Sequence, residues 1–199
     1  MNRLVTFGCS HTFGVDLNYP EKECWPTQLA NALQVPLVNK GRGGASNRYI
    51  QHSVLNFEFN KDDLVIILWT YPDRYHIFKD GGKPYEYINV WSKNVNSKFW
   101  FKNLTTDYNE KFSNKSIVNH VNLFLQNKDI KTYNMVVSSE FKYYFDITDC
   151  AIIDLDFNSD FLVKHPRAKD GWHMGPEGHL NFSRAIHSRI INNNFKQTI

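Results

Sequence analysis

The sequence predicts a three-layer α/β domain with a mostly parallel sheet, and three observations carry that prediction. Strand-like and helix-like segments alternate along the chain, as they do when helices cover both faces of a sheet. Leu64 to Trp69 is apolar at every position, the pattern of a strand buried on both sides. Loops rich in Gly, Ser and Asn follow the early strands, and ligands bind parallel sheets at that carboxyl edge.

The first element is Leu4 to Phe7, a short apolar run stopped by Gly8, which leaves Cys9-Ser10-His11 just past a strand end. A helix is expected over Cys24 to Leu33, with Pro26 in its first turn and Trp25, Leu29 and Leu33 repeating every four residues. Val35 to Asn39 reads as a second strand, leading into the glycine-dense loop Lys40 to Asn47. Ser46 then N-caps a helix expected to run to about Phe59. Asp63 to Trp69 is the expected central strand. Residues 71–106 read as an irregular, aromatic-rich insertion covering one edge, with Tyr71, Tyr75, Phe78, Tyr85, Tyr87, Trp91, Phe99, Trp100 and Phe101. A helix from Asp107 to Asn127, a strand from Lys131 to Val137, a short strand from Ala151 to Leu155 and a helix opening at Gly175-Pro176 complete the series.

Composition bounds the function. The 199 residues fit one domain spanning 1–199, and 42% hydrophobic residues with 15% aromatics supply a core that a disordered chain lacks. A net charge of +3 without any basic run does not suit a line of phosphates, so no nucleic-acid partner is expected. The longest apolar run is six residues, whereas a spanning helix needs about 20. The N-terminus lacks the apolar stretch of about 7–15 residues of a secretory signal. No membrane partner is expected, and the setting reads as cytoplasmic. Cys9, Cys24 and Cys150 are widely spaced and form neither a disulfide framework nor a zinc motif. His11, His76 and His165 likewise give no metal-ligand spacing, so neither metal nor cofactor is expected. Asparagine occurs 22 times, a bias of AT-rich genomes such as those of many phages.

Three segments bear on chemistry, and each has a bland alternative. Ser10, after a strand and a glycine, is placed as a nucleophile or simply as a turn residue. The loop Asn39-Lys40-Gly41-Arg42-Gly43-Gly44 brings backbone N–H groups close to a ligand, or is a flexible crossover; it matches neither the P-loop nor the dinucleotide glycine pattern. Asp170 and His173 are three residues apart before a helix, so a helical turn would let the carboxylate fix the imidazole tautomer; otherwise Asp170 caps the loop and His173 is a surface ring. His179 is a rival base, better explained by packing or capping. For the aromatic insertion, burial in a core or lid is preferred over a glycan platform.

Together, Gly8-Cys9-Ser10, Asn39-x-Gly41-x-x-Gly44 and Asp170-x-x-His173 resemble blocks I, II and V of the SGNH/GDSL hydrolases, in order and across most of the chain. The resemblance implies a flavodoxin-like α/β/α sandwich, taken as five-stranded, and a Ser-His-Asp ester hydrolase working through an acyl-enzyme. It makes Ser10 the nucleophile, His173 the base and then the acid, Asp170 its orienting carboxylate, and the Ser10 and Gly44 amides oxyanion donors. Two positions depart from the pattern. Cys9 replaces the block I aspartate, and Trp69-Thr70-Tyr71-Pro72-Asp73-Arg74 lacks the block III asparagine. Losing one oxyanion donor typically costs about 10²–10³ in rate. Asn47 is the preferred substitute, ahead of Thr70 and Arg74. The expected substrate is a small acyl ester, with an O-acetylated saccharide favoured by the aromatic insertion. The alternative is a catalytically silent binding or structural protein, such as a virion component, on the same scaffold.

Overall fold

A computed structural model describes residues 1–89, 93, 95–141 and 151–192. Trp91 of the aromatic insertion and Cys150 lie outside the described residues. The elements are β1 (Arg3–Gly8), α1 (Ser10–Phe13), α2 (Pro20–Glu23), α3 (Trp25–Leu33), β2 (Leu37–Gly41), α4 (Asn47–Leu55), β3 (Asp63–Trp69), β4 (Arg74–Phe78), β5 (Pro84–Asn89), α5 (Val95–Asn103), α6 (Asp107–Gln126), β6 (Lys131–Val136), a π-helix (Phe157–Leu162) and α7 (Pro176–Ile191).

Strands β2, β1, β3 and β6 form a parallel sheet in that spatial order. Because side chains alternate across a strand, β3 feeds two separate cores. Leu64, Ile66 and Leu68 pack with Leu4, Trp25, Leu29, Phe182 and Ile186, which puts α3 and α7 on one face. Val65, Ile67 and Trp69 pack with Val5, Phe7, Ile50, Val54, Val118 and Val121, which puts α4 and α6 on the other. The result is the expected α/β/α layering.

The strand order reverses direction at β1, whose two neighbours β2 and β3 are reached by crossovers to opposite sides. A crevice therefore opens outside the carboxyl ends of β1 and β3, the usual ligand position in such sheets. Ser10 follows β1, the glycine loop follows β2, and Thr70 follows β3. At the opposite edge Arg3 clamps the buried Asp63 with hydrogen bonds of 2.7 and 2.9 Å, tying β1 to β3.

Several expectations need correction. The sheet has four strands among the described residues, not five. The segment Ala151 to Leu155 joins it only by a parallel bridge between Asn134 and Ile152. Helix α4 ends at Leu55, not near Phe59, and residues 57–60 belong to no helix or strand. Phe57 and Phe59 turn inward against Phe7 at ring distances of 5.8 and 6.1 Å, while Glu58 and Asn60 face out. The region 71–106, expected to be irregular, contains the antiparallel β4–β5 hairpin and α5. The π-helix has no counterpart among the expected elements, and it sets Phe157 and Phe161 against Phe182 at 5.0 and 4.9 Å.

Much of the aromatic insertion is packed inward. Tyr75 lies 5.2 Å from Trp100, and His76 lies 5.1 Å from both Tyr49 and Tyr87. Cys9 and Cys24 are buried free thiols. No described helix is long and apolar enough to cross a membrane.

His179 joins α7 to α3. Its Nδ1 accepts the Trp25 backbone N–H at 3.1 Å, satisfying an amide that the start of α3 leaves unbonded. Burial, with the His173 charge adding to it, pulls this imidazole down to about 3. Burial also lowers His76 to about 4 and His11 well below its ordinary range. Unfolded imidazoles titrate near 6.5, at about pH 6.5 taking up protons that the folded ones refuse. Stability is therefore complete above that pH and declines as pH falls through it. Thermal unfolding from pH 7.5 to 5.5 should show a midpoint falling by roughly 2–4 °C or more. The fall should be smaller in His179→Gln, and a flat or rising midpoint contradicts the assignment.

Candidate active site

The site is built where α1 is pressed against the end of β2. Asn39 makes the lock: its Nδ2 donates to the Thr12 carbonyl at 2.9 Å, and its Oδ1 accepts the Gly41 amide at 2.9 Å and the Thr6 hydroxyl at 3.1 Å. The two backbones approach so closely that a Cβ on Gly41 would stand 2.5 Å from Phe13 N and 2.7 Å from the Thr12 carbonyl carbon. Gly44 obeys a different constraint. It is the third residue of a turn closed by Ala45 N–H to the Arg42 carbonyl at 3.1 Å, with φ +72, a region that favours glycine. The inner amide of such a turn is not used by the turn itself.

Ser10 opens α1 and is 6% exposed. Its hydroxyl makes no hydrogen bond among the described residues, and its backbone N–H stands at the first helical position, where helix bonding leaves it unused. His11 follows directly, with its ring 5.1 Å from that of His173 and 4.6 Å from Phe157.

Asp170 and His173 meet as the three-residue spacing suggests. Carboxylate Oδ2 lies 2.5 Å from His173 Nδ1, while Oδ1 accepts the backbone N–H of Trp172 at 2.9 Å and of His173 at 3.0 Å. Burial pushes the Asp170 carboxyl up, but the two amides and the imidazole together outweigh it and hold the group well below the carboxylate range. An ionised Asp170 fixes the proton on Nδ1 and leaves Nε2 as the basic nitrogen. Asp16 adds a second carboxylate, with Oδ2 3.9 Å from the same Nδ1. Asp16, Asp170 and His173 bring three possible ligand atoms within 4.8 Å of one another, so they are the described residues that could hold a cation together. Doing so would draw Nδ1 away from Asp170.

A cavity of about 560 Å³ opens beside His173, lined by His11, Tyr71, Arg74, Leu162, Arg167, Trp172 and His173. Arg74 arrives from the segment after β3, its guanidinium 4.6 Å over the Tyr71 ring and 3.1 Å from the Thr70 hydroxyl. Arg167 Nη1 donates to the Trp172 carbonyl at 3.1 Å, and the Trp172 side of the rim is 80% exposed.

Asn47 requires a correction. Its Nδ2 donates to the Thr70 carbonyl at 3.1 Å and to Asn114 Oδ1 at 2.8 Å, and its Oδ1 accepts the Thr70 N–H at 2.9 Å. Both amide hydrogens are committed, so Asn47 holds the end of β3 in place and has none left for an oxyanion. His179 is engaged with Trp25 and is a capping residue. The contributions of His11, Arg167 and Trp172 to the cavity were not legible in the sequence. A histidine beside a serine and a tryptophan beside a histidine are too common as pairs to signal a site, and only the strand-end position of His11 pointed here.

Asn39→Ala should leave the Gly41 N–H and the Thr12 carbonyl unpartnered, lowering stability by about 1–3 kcal/mol in urea unfolding. A loss below about 0.5 kcal/mol contradicts the lock.

The sequence matches no family model and no curated protein. Solved structures do resemble it. A G-D-S-L family protein from Desulfitobacterium hafniense DCB-2 aligns with TM-score 0.61 at 14% identity, over 94% of this chain and 99% of that one. An acetyl xylan esterase from the rumen bacterium Butyrivibrio proteoclasticus aligns with TM-score 0.64 at 14% identity, over 96% of this chain and 64% of that one. A two-domain esterase active on acetylated mannans aligns with TM-score 0.60 at 12% identity, over 96% of this chain and 49% of that one. This chain therefore spans about half to two thirds of those two larger enzymes, and its fold is that of the SGNH/GDSL hydrolases.

Proposed function

We propose that the protein is a serine ester hydrolase acting through an acyl-enzyme, with Ser10 as nucleophile, His173 as base and acid, and Asp170 orienting the imidazole. The observation that carries this reading is the Asp170–His173 pair at 2.5 Å, set against the ring of the residue that follows Ser10. Serine–imidazole bonds commonly tighten only when substrate is bound.

In the proposed cycle Ser10 Oγ attacks the ester carbonyl carbon while its proton passes to His173 Nε2. The carbonyl oxygen becomes an oxyanion held by the Ser10 and Gly44 amides. Collapse breaks the bond to the alcohol oxygen, which leaves with the proton from Nε2. Water then attacks the acyl carbon, gives a proton to His173, and the second collapse returns that proton to Ser10 Oγ and frees the acid. The ionised Asp170 stabilises the imidazolium in both halves. With Asn47 committed elsewhere, Arg74 is the side-chain donor that the segment after β3 offers to the cavity.

We read the substrate as a small acyl ester, with a saccharide as the favoured alcohol. The exposed Trp172 face at the rim is suited to lie against a sugar ring. Solved neighbours of similar fold include enzymes on acetylated xylan and acetylated mannans.

Hydrolysis of p-nitrophenyl acetate should be lost in Ser10→Ala and fall by about 10³–10⁴ in kcat in Asp170→Asn, which keeps the shape but removes the charge that fixes the tautomer. Equal turnover by Ser10→Ala refutes the nucleophile.

A further inference from the structure

His11 is 5% exposed and takes no part in the proposed proton transfers, yet it lines the cavity beside His173. Its Nδ1 is fully enclosed and has no hydrogen-bond partner among the described residues. Burial keeps the ring neutral, and the charges of His173, His179, Arg74 and Arg167 act in the same direction. A neutral imidazole carries one N–H and one lone pair. Enclosing an unpartnered N–H is rarer in proteins than enclosing an unpartnered acceptor. The lone pair therefore belongs on Nδ1 and the proton on Nε2, the nitrogen left to face the cavity.

The position of this donor decides what it meets. His173 hands its proton to the leaving alcohol oxygen, and the His11 ring is 5.1 Å from the His173 ring. On the hydrolase reading, a donor beside that ring lies near the group that protonates the leaving alcohol. On the same rim, Trp172 offers a flat apolar face, so a ring that stacks on the indole can present an oxygen to His11.

Resting on the hydrolase reading above, we propose that His11 is a specificity-determining donor whose Nε2–H binds a hydroxyl oxygen adjacent to the ester on the alcohol. The substrate class is then an ester of a polyhydroxylic ring, and a plain aliphatic alcohol of the same size lacks the oxygen that His11 binds. The idea accounts for an enclosed polar atom that packing alone does not need, since a phenyl ring would fill the same space without stranding a nitrogen.

The test compares kcat/KM for methyl 2-O-acetyl-xyloside with that for cyclohexyl acetate, a ring of the same size without hydroxyls. In the wild type the xyloside should be preferred. His11→Phe should cut that preference about tenfold, the scale of one lost hydrogen bond. Its melting temperature should be equal or higher, because the stranded nitrogen is gone. His11→Gln, which keeps a side-chain N–H, should recover part of the preference and serves if the phenylalanine variant folds poorly. Ser10-dependent hydrolysis with an unchanged preference in both variants overturns the role of His11 alone. Absence of any Ser10-dependent hydrolysis, of p-nitrophenyl acetate included, overturns the hydrolase reading and this proposal with it.

Discussion

The pairing of an ionised carboxylate with one nitrogen of a single imidazole is the interaction on which the functional account rests. Asp170 is held by two backbone amides of its own turn as well as by the ring, so its geometry is set locally and its charge is maintained. In the proposed cycle that makes His173 a directional base. Without the carboxylate, the imidazole could place its proton on either nitrogen, and half the orientation needed for proton transfer would be lost.

Everything else in the site is a matter of bringing backbone to that ring. The sheet order puts the ends of β1, β2 and β3 side by side, and Asn39 and Gly41 then clamp α1 onto β2 at backbone contact distance. Asn47 does the same for β3, with its whole side-chain amide bound to Thr70 and Asn114. These asparagines thus serve as struts between elements. Trp69 and Asn122 are tied through Asn134 at 2.8 and 3.0 Å in the same manner. Such bridges hold loop backbone rigid in buried surroundings, where an unmet amide would be costly.

How much of this was legible depended on how local each signal is. Strand β3 was read to the residue, because a strand buried on both faces is apolar throughout. The Asp170–His173 contact was readable from a three-residue spacing, since both partners sit in one turn. Phe57 and Phe59 make α4 look longer than it is, because apolar residues next to a helix do not announce whether the period has changed from about 3.6 to 2. The segment near Ile152 has the composition of a strand, but strand pairing is decided by distant neighbours, and it makes only one bridge to β6. Asn47 looked like a free donor because nothing in its sequence context shows that Asn114, far along the chain, would bind it. His11 and Trp172 gain meaning only from the cavity they share with His173.

The central claim is that Ser10 is an activated nucleophile, and covalent labelling by a fluorophosphonate followed by peptide mapping addresses it most directly. The account predicts one label per chain, on the peptide carrying Ser10, with labelling strongly slowed in His173→Ala. A native, folded protein that stays unlabelled at Ser10 would contradict it and would favour a silent binding protein on this scaffold.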